Sequence, residues 1–369
     1  MNFLIITHVR HKMKEDTCYG YGPYVKEMNI WNSHVKNIEV VGHKVDDPIT
    51  PIDLPYKNQV RFTEIPETSL TSYKEILLSI FRIPIIFFKL LPAMRRADHI
   101  HLRCPGNIGL IGVIAQVFFP AKKKTVKYAG NWDPKAIQPW SYRLQKYIVS
   151  NTILTKNTQV LVYGKWENQS NNITPFFTAT YPKSKIPELN TKAYTTPLKV
   201  IFVGSLSIGK RPLYALQWMQ KCKEKGMQVT LDFYGDGQER EGLELYIKTH
   251  QLQDNVILHG NQDAGTIEKA YKNTHFMILP SKSEGWPKVV AEAMFWGVIP
   301  LVTPISCVPW MLDHGKRGIL LTLDVEKDVS AFAKAVKDTS NLEKMARLGQ
   351  QWSHQYTLDD FEEAIKKLL

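Results

Sequence analysis

Cysteine is scarce in this 369-residue chain: Cys18, Cys104, Cys222 and Cys307 are all there is. No two of them stand at metal-ligand or redox spacing. A zinc module, a CxxC centre and a disulfide-stapled fold are therefore excluded, and reduced thiols in a cytosolic protein are expected. No uninterrupted apolar run is long enough to cross a bilayer. The strongest candidate, "ILLSIFRIPIIFFKLLPAM" at 76–94, is broken by Arg82, Pro84 and Lys89. It reads as one core helix or two, or as a membrane-surface helix, because Arg95 and Arg96 follow at once. The opening "MNFLIITHVR" lacks the basic, apolar, small order of a signal peptide and reads as a first buried strand. Internal repeats, heptad arrays and low-complexity tracts are absent. So is any nucleic-acid recognition motif, and the aromatics are not organised as a base-stacking platform, so nucleic acid is not expected as a partner.

What is present is globular: 44% hydrophobic and 22% charged residues, in a chain long enough for two domains with a core each. The net charge of +12 is unevenly placed. Residues 1–195 hold 26 Lys and Arg against 14 Asp and Glu, whereas 196–369 hold 21 of each. The two halves should therefore face different partners. The basic half suits an anionic one, such as lipid headgroups or a phosphate-bearing acceptor.

The second half alternates cleanly. Strand-like runs at 199–206, 228–235, 255–260, 275–280 and 298–303 are separated by helical patterns at 211–226, 238–250, 265–273 and 287–296. Such alternation argues a parallel sheet with helices on both faces and a ligand at the strands' carboxyl ends. The first half is less regular, with strands expected at 2–7, 37–41, 98–102, 124–128 and 159–163. The polar stretch 183–197 marks the junction. The expected architecture is α/β: two Rossmann-like domains with parallel sheets facing each other across a cleft. The first spans 1–190 and binds acceptor, the second spans 197–355 and binds donor, and a C-terminal helix at 356–369 packs back on the first.

The chemistry concentrates in "SEGWPKVVAEAMFWG" at 283–297. Pro287 suits a helix start and Gly297 its end. Glu284 and Gly285 then sit in the entering loop, and the amides of Gly285, Trp286 and Lys288 can cradle an anion at the helix N-terminus. Glu292 lies mid-helix among apolar neighbours. A buried carboxylate needs donors, which either nearby protein groups or a ligand diol can supply. A second loop, "FVGSLSIGKRP" at 202–212, brings Lys210 to the opening of a helix, where a cation can meet phosphate. It is not a Walker loop. A third, "YGDGQ" at 234–238, carries Gly235 and Gly237.

Taken in order, "FVGSLSIGKRP", "FYGDGQE", "NVILHGN" and "ILPSKSEGWPKVVAEAMFWGVIPLVT" resemble the donor-binding domain of retaining GT-B glycosyltransferases, specifically glycosyltransferase family 4 (group 1 glycosyl transferases), over residues 199–325. The E-x7-E pair, Glu284 and Glu292, is the most specific part. The resemblance implies transfer of a sugar from a UDP- or GDP-sugar, with retention, to a glycan or lipid-linked acceptor in cell-surface polysaccharide biosynthesis. Glu292 would accept from the ribose hydroxyls and Glu284 would contact the transferred sugar. The backbone from Gly285 through Trp286 and Pro287 to Lys288 would hold the diphosphate. Lys210 would neutralise the leaving group, with Gly204, Ser205 and Arg211 in the same loop. His259, Gly260 and Asn261 would flank the base. No metal cluster is visible and the diphosphate has protein donors, so metal independence and no cofactor beyond the donor are expected.

Two departures stand out. The family often has arginine where this chain has Ser205, and Arg211 is the residue that can compensate. The stretch "KYAGNWDP" at 127–134 lacks the histidine that many members carry near the reacting centre. There Asn131 or Asp133 either takes over part of that role or serves as a turn residue. For the acceptor side, the segment "CYGYGPY" at 18–24 reads as a glycine loop after the first strand, with Tyr21 and Gly22. Arg103, Asn131, Asp133 and Trp132 are further candidates. The basic half next to an amphipathic segment places the protein in the cytoplasm, with peripheral contact on the inner face of an anionic membrane. Two other classes stay open: a non-catalytic nucleotide-sugar-binding subunit, and a GT-B-type nucleotide-sugar epimerase.

Overall fold

The computed structural model describes residues 1–68, 73–188 and 192–369; positions 69–72 and 189–190 of the expected first domain, and 189–191 within the expected junction 183–197, lie outside the described residues. The chain divides into two compact units. One comprises residues 1–177 with 361–369, the other residues 178–360.

In chain order the first unit holds β1 (Asn2–Lys14), β2 (Thr17–Tyr21), α1 (Gly22–Asn32), β3 (Asn37–Lys44), β4 (Asp53–Pro55), β5 (Val60–Glu64), α2 (Tyr73–Arg96), β6 (His99–Cys104), α3 (Asn107–Ala115), β7 (Lys123–Tyr128), α4 (Trp140–Ser150), β8 (Thr158–Tyr163) and β9 (Ile173–Phe176). The parallel strands run β5-β3-β1-β6-β7-β8-β9. Ile6, Leu102, Val126 and Val160 from the sheet meet Ile86 and Leu90 of α2 in one core. These strands are apolar along their length because helices cover the sheet.

The second unit holds β10 (Leu198–Val203), α5 (Pro212–Glu224), β11 (Val229–Tyr234), α6 (Arg240–Thr249), β12 (Val256–Leu258), α7 (Ala264–Lys272), β13 (Phe276–Leu279), α8 (Lys288–Phe295), β14 (Ile299–Val302), α9 (Val308–Met311), β15 (Ile319–Leu320), α10 (Val325–Ala335) and α11 (Thr339–Ser353). Its sheet is parallel in the order β12-β11-β10-β13-β14-β15. A last helix, α12 (Leu358–Leu368), closes the chain. Both units are Rossmann-like, and the fold class is α/β of the GT-B kind.

Two expectations are corrected, the end of the first strand and the place of the division, and the choice between one helix and two at 76–94 is decided. The first strand does not stop at residue 7: it continues to Lys14 and turns at Glu15 into an antiparallel partner, with Lys12 opposite Tyr19 and Met13 opposite Cys18. "CYGYGPY" is therefore a strand running into a helix and not a glycine loop. The run at 76–94 lies within a single helix, with Pro84 and Pro92 inside it. The division between units falls at 177/178, ahead of 183–197, because Thr180 and Tyr181 pack on α8 through the Glu292 carboxylate and the rings of Phe295 and Trp296. Among the described residues no helix is long and apolar enough to cross a membrane.

Candidate functional site

In the second unit the sheet grows outward from β10 in one direction and from β13 in the other, so the switch point lies between these two strands. Ligands of such sheets bind outside the carboxyl ends of the strands at that point. The loops leaving β10 and β13 meet there. The Lys282 amide donates to the Gly209 carbonyl at 2.8 Å, and Arg211 Nη1 to the Pro280 carbonyl at 3.4 Å. Lys210 Nζ donates to Glu284 Oε1 across the same gap, in a pair whose side chains are 27% and 10% exposed. A cation and a carboxylate 74 residues apart in sequence are thus joined at one point.

Local sequence explains the loop shapes. Arg211 has a left-handed backbone, φ 52°, and hands over to Pro212, which opens α5 with its φ already set. Gly204 and Gly235 pass so close that a β-carbon on Gly235 would lie 1.9 Å from the Gly204 carbonyl oxygen. The glycines of "YGDGQ" therefore serve loop-to-loop contact, sealed by the Leu206 amide on the Asp236 carbonyl at 2.9 Å. Ser205 is exposed beside Ser207, with 3.3 Å between their hydroxyl oxygens. Its side chain brings no charge to the loop.

Pro287 stands one residue before α8 and not inside its first turn. The first amides of a helix have no partner within it, and helix starts in general suit anions. Gly297, φ 69°, ends the helix in a Schellman motif: its amide bonds Met294 and that of Val298 bonds Ala293. The Gly285 carbonyl accepts from the Cys307 thiol at 3.1 Å and from the Ser306 hydroxyl at 3.4 Å, which steadies the loop. The Trp286 side chain is buried in a cluster with Trp310, Trp352 and Tyr356. Only its backbone is left to serve a ligand.

Glu292 finds donors within the protein. Thr180 Oγ1 donates at 2.7 Å to one carboxylate oxygen and Tyr271 Oη at 3.4 Å to the other. Burial pushes its pKa above the usual carboxylate value, and Thr180, Lys288 and Tyr271 pull the other way. The cavity beside it, lined by Thr180, Tyr181, Lys288 and Phe295 among others, measures about 10 Å³. That is barely room for a water, far less a ribose. Thr180 and Tyr271 were missed from sequence: Tyr271 sits at the end of a helix facing α8, and Thr180 lies before the expected domain start.

His259 stacks on Tyr234 at 4.4 Å and 10°, with Nε2 2.7 Å from Asp232 Oδ1. Gly260, φ 70°, pairs its carbonyl with the Gly235 amide, and Asn261 is exposed beside it. The rings of the His259–Tyr234 stack are nearly parallel and sit at this strand end. Nothing in the sequence pairs these two residues, one ending β11 and the other following β12.

The first-unit candidates do not come together. Tyr21 is 49% exposed at the end of β2. Gly22 is buried: its amide bonds the Ile52 carbonyl at 2.8 Å, and a β-carbon there would come within 2.5 Å of that oxygen. Arg103 pairs with Glu27 at 3.3 Å and lies 5.3 Å from the Tyr24 ring centre. Asn131 Oδ1 accepts the Asp133 amide and Asp133 Oδ1 the Lys135 amide, so both form Asx turns. Trp132 is buried against Tyr128. Among the described residues no three His, Cys, Asp or Glu side chains group as a metal site.

Residues 188–353 match the model of the family Glycosyl transferases group 1. Among curated proteins, an uncharacterized glycosyltransferase of Haemophilus influenzae is 26% identical over 51% of this chain and 52% of its own length. A putative colanic acid biosynthesis glycosyltransferase, WcaL, of Salmonella typhimurium is 26% identical over 42% and 39%. These matches span about half of each relative or less. Two solved structures share the fold over nearly the whole chain. The lipopolysaccharide outer core galactosyltransferase WaaB, in its apo form, has a TM-score of 0.71 at 16% identity, covering 100% of this chain and 99% of its own. Anabaena HepE in complex with UDP has 0.69 at 15%, covering 99% and 98%.

Proposed function

We propose that this chain transfers a glycosyl group from a nucleotide-diphosphate sugar to a glycan or lipid-linked acceptor, with retention, in cell-surface polysaccharide biosynthesis. The observation that carries the reading is the Lys210–Glu284 pair at the β10/β13 switch point, within reach of the helix start of α8. Glycosyl transfer breaks the bond between the anomeric carbon and the diphosphate oxygen. Positive character grows on the sugar, negative charge on the leaving oxygen, and the acceptor hydroxyl supplies the new bond and releases its proton. The catalytic need is a fixed positive potential at the leaving oxygen. Lys210 and the α8 amides supply it. When a diphosphate draws the ammonium, Glu284 is released to accept from sugar hydroxyls. Glu292 holds the ribose, and the His259–Tyr234 stack bears the base. Retention rests on the E-x7-E resemblance alone, the domain match supports glycosyl transfer, and the HepE complex with UDP favours a UDP donor.

The test is a thermal-shift series with UDP-, GDP- and ADP-sugars on the wild type and on Glu292→Ala. A ligand at about 100 times its dissociation constant stabilises the folded state by about 2.7 kcal/mol. One nucleotide class should shift the wild type and leave the variant unmoved. No shift with any donor overturns the reading. Ser205, where a cation is expected, favours a second reading as a non-catalytic nucleotide-sugar binder. Donor binding without any transfer or hydrolysis of the sugar would establish it.

A further inference from the structure

We propose that the outward face of α2 docks this protein on the surface of an anionic lipid bilayer. The inference does not depend on sugar transfer. It starts from a helix whose two faces are both apolar. Ser79, Ile86, Leu90, Ala93 and Met94 form its buried stripe, each at most 1% exposed. On a surface helix the opposite stripe should be polar. Here it reads Phe81, Pro84, Ile85, Phe88, Pro92, at the spacing that keeps residues on one side of a helix. Phe81 is 70% exposed, Phe88 68%, Ile85 50% and Ile80 56%. The patch runs on beyond the helix: Phe88 meets Phe87, which meets Phe118 at 6.0 Å, and Phe118 is 67% exposed. Single exposed apolar side chains are ordinary, but a contiguous field of large ones marks a docking surface.

Charge selects the occupant. From Leu78 to Ala97 there is no Asp or Glu, whereas Arg82, Lys89, Arg95 and Arg96 are spread along the segment. Arg82 and Lys89 lean off the ridge onto the carbonyls of Glu67 and Glu64. Arg95 continues the outward line at the helix end, next to Lys122, whose ammonium bonds the Arg95 carbonyl. Large apolar side chains flanked by cations fit acyl chains beneath anionic headgroups. A second copy fits worse, because a two-fold pairing of this face would set cation against cation. The first unit as a whole is the basic one, which adds long-range attraction to the same surface.

The experiment is co-sedimentation of the full chain with vesicles of phosphatidylcholine, alone or mixed with phosphatidylglycerol, beside the variants Phe81→Glu/Phe88→Glu and Arg95→Glu. The wild type should pellet with the mixed vesicles, less so at high salt. The double variant should lose at least about tenfold in partition, and Arg95→Glu a smaller part, confined to the anionic vesicles. Both variants alter exposed side chains, so an unchanged melting temperature confirms folding. Failure of the wild type to bind, or binding by the double variant at the wild-type level, overturns the proposal. So does a wild-type dimer in solution that the double variant dissolves without vesicle binding, because the face then belongs to a second copy. The nucleotide-sugar thermal shift is read in the same samples. If vesicles bind and no nucleotide shifts the protein, the transfer reading falls and the docking face stands.

Discussion

Each unit sets an ion pair near the carboxyl end of its parallel strands, and the two pairs are built differently. In the first unit Arg103, on β6, meets Glu27 of α1, with side chains 14% and 6% exposed, and the guanidinium also lies near the Tyr24 ring. Burial alone would lower the Arg103 pKa, but Glu27, with Tyr163 and Tyr24, outweighs it and leaves the value raised. In the second unit Lys210 and Glu284 join two loops, and the lysine is about twice as exposed as Arg103. Arg103, Lys210 and Glu284 are all candidates from sequence, whereas Glu27 is not. Packing separates the two pairs: a pair held between a strand and a helix maintains the fold, whereas a pair between two loops at a switch point can be parted by a ligand.

The largest effect that sharpens this contrast is on turnover. Lys210→Ala should lower the rate of sugar transfer by about 10²- to 10³-fold, as removal of one transition-state donor does elsewhere. Its melting temperature should move less than that of Arg103→Ala, since Lys210 is 27% exposed and water can partly solvate the Glu284 left behind. Arg103→Ala should do the reverse. Removing one partner of a buried pair costs about 3–5 kcal/mol, so the melting temperature should fall steeply while the donor dissociation constant of the folded protein holds. Steady-state kinetics and calorimetry on the two variants decide it. If Arg103→Ala stays stable and loses turnover, the contrast between the pairs is wrong.

Glu292→Gln tests whether a polar group in the second unit is kept for ligand at the expense of stability. Burial raises the Glu292 pKa, so the folded state holds its proton more tightly than the unfolded one. The destabilisation is therefore absent below the ordinary carboxylate range and is fully present once pH exceeds the raised value. Glutamine should raise the melting temperature at pH 7, and the gain should vanish as pH falls below the usual glutamate value. Donor affinity should drop by roughly 1.5–3 kcal/mol, the worth of a hydrogen bond to a charged group. A variant that is less stable at pH 7 would show that Thr180 and Tyr271 fully compensate the carboxylate.

The contrast also explains what could be read from sequence. In the second unit every expected strand and helix appears within about three residues, because glycines at Gly204, Gly235, Gly260 and Gly297 end elements with positive φ and punctuate the pattern, although β15 and α9, α10 and α11 beyond them were not read. In the first unit β2, β4, β5 and β9 were not read. The extension of β1 through "HVRHKMK" is polar, and its turn at Glu15 uses a non-glycine residue in the left-handed region, so neither period nor punctuation marks the hairpin. Glu284, Glu292 and Lys210 were legible because their loops carry a spaced motif. Tyr234 and Thr180 were not, since their places depend on which strands adjoin and on where the unit begins.

Smaller effects come from the loop that lacks a cation. Ser205→Arg should tighten the nucleotide-sugar donor severalfold, because an added guanidinium at an exposed loop position meets diphosphate through charge-assisted bonds. The gain should shrink with added salt. Unchanged affinity at low salt would mean that position 205 does not face the diphosphate, and that Arg211, with its head on the Pro280 carbonyl, does not need help.

The finest test concerns Thr180, whose hydroxyl now occupies the Glu292 oxygen assigned to ribose. A ribose hydroxyl can take that oxygen only if the Thr180 hydroxyl yields it. The donor therefore binds a rearranged form, and its apparent affinity is reduced by the fraction of protein in that form. Thr180→Val removes the competing hydroxyl and keeps the shape. One intramolecular hydrogen bond is worth about 0.5–1.5 kcal/mol, so donor binding should tighten by a few fold at most, with a slight loss of melting temperature. Weaker binding in Thr180→Val would reverse the assignment: Thr180 would then hold the carboxylate in place for the ribose instead of standing in for it.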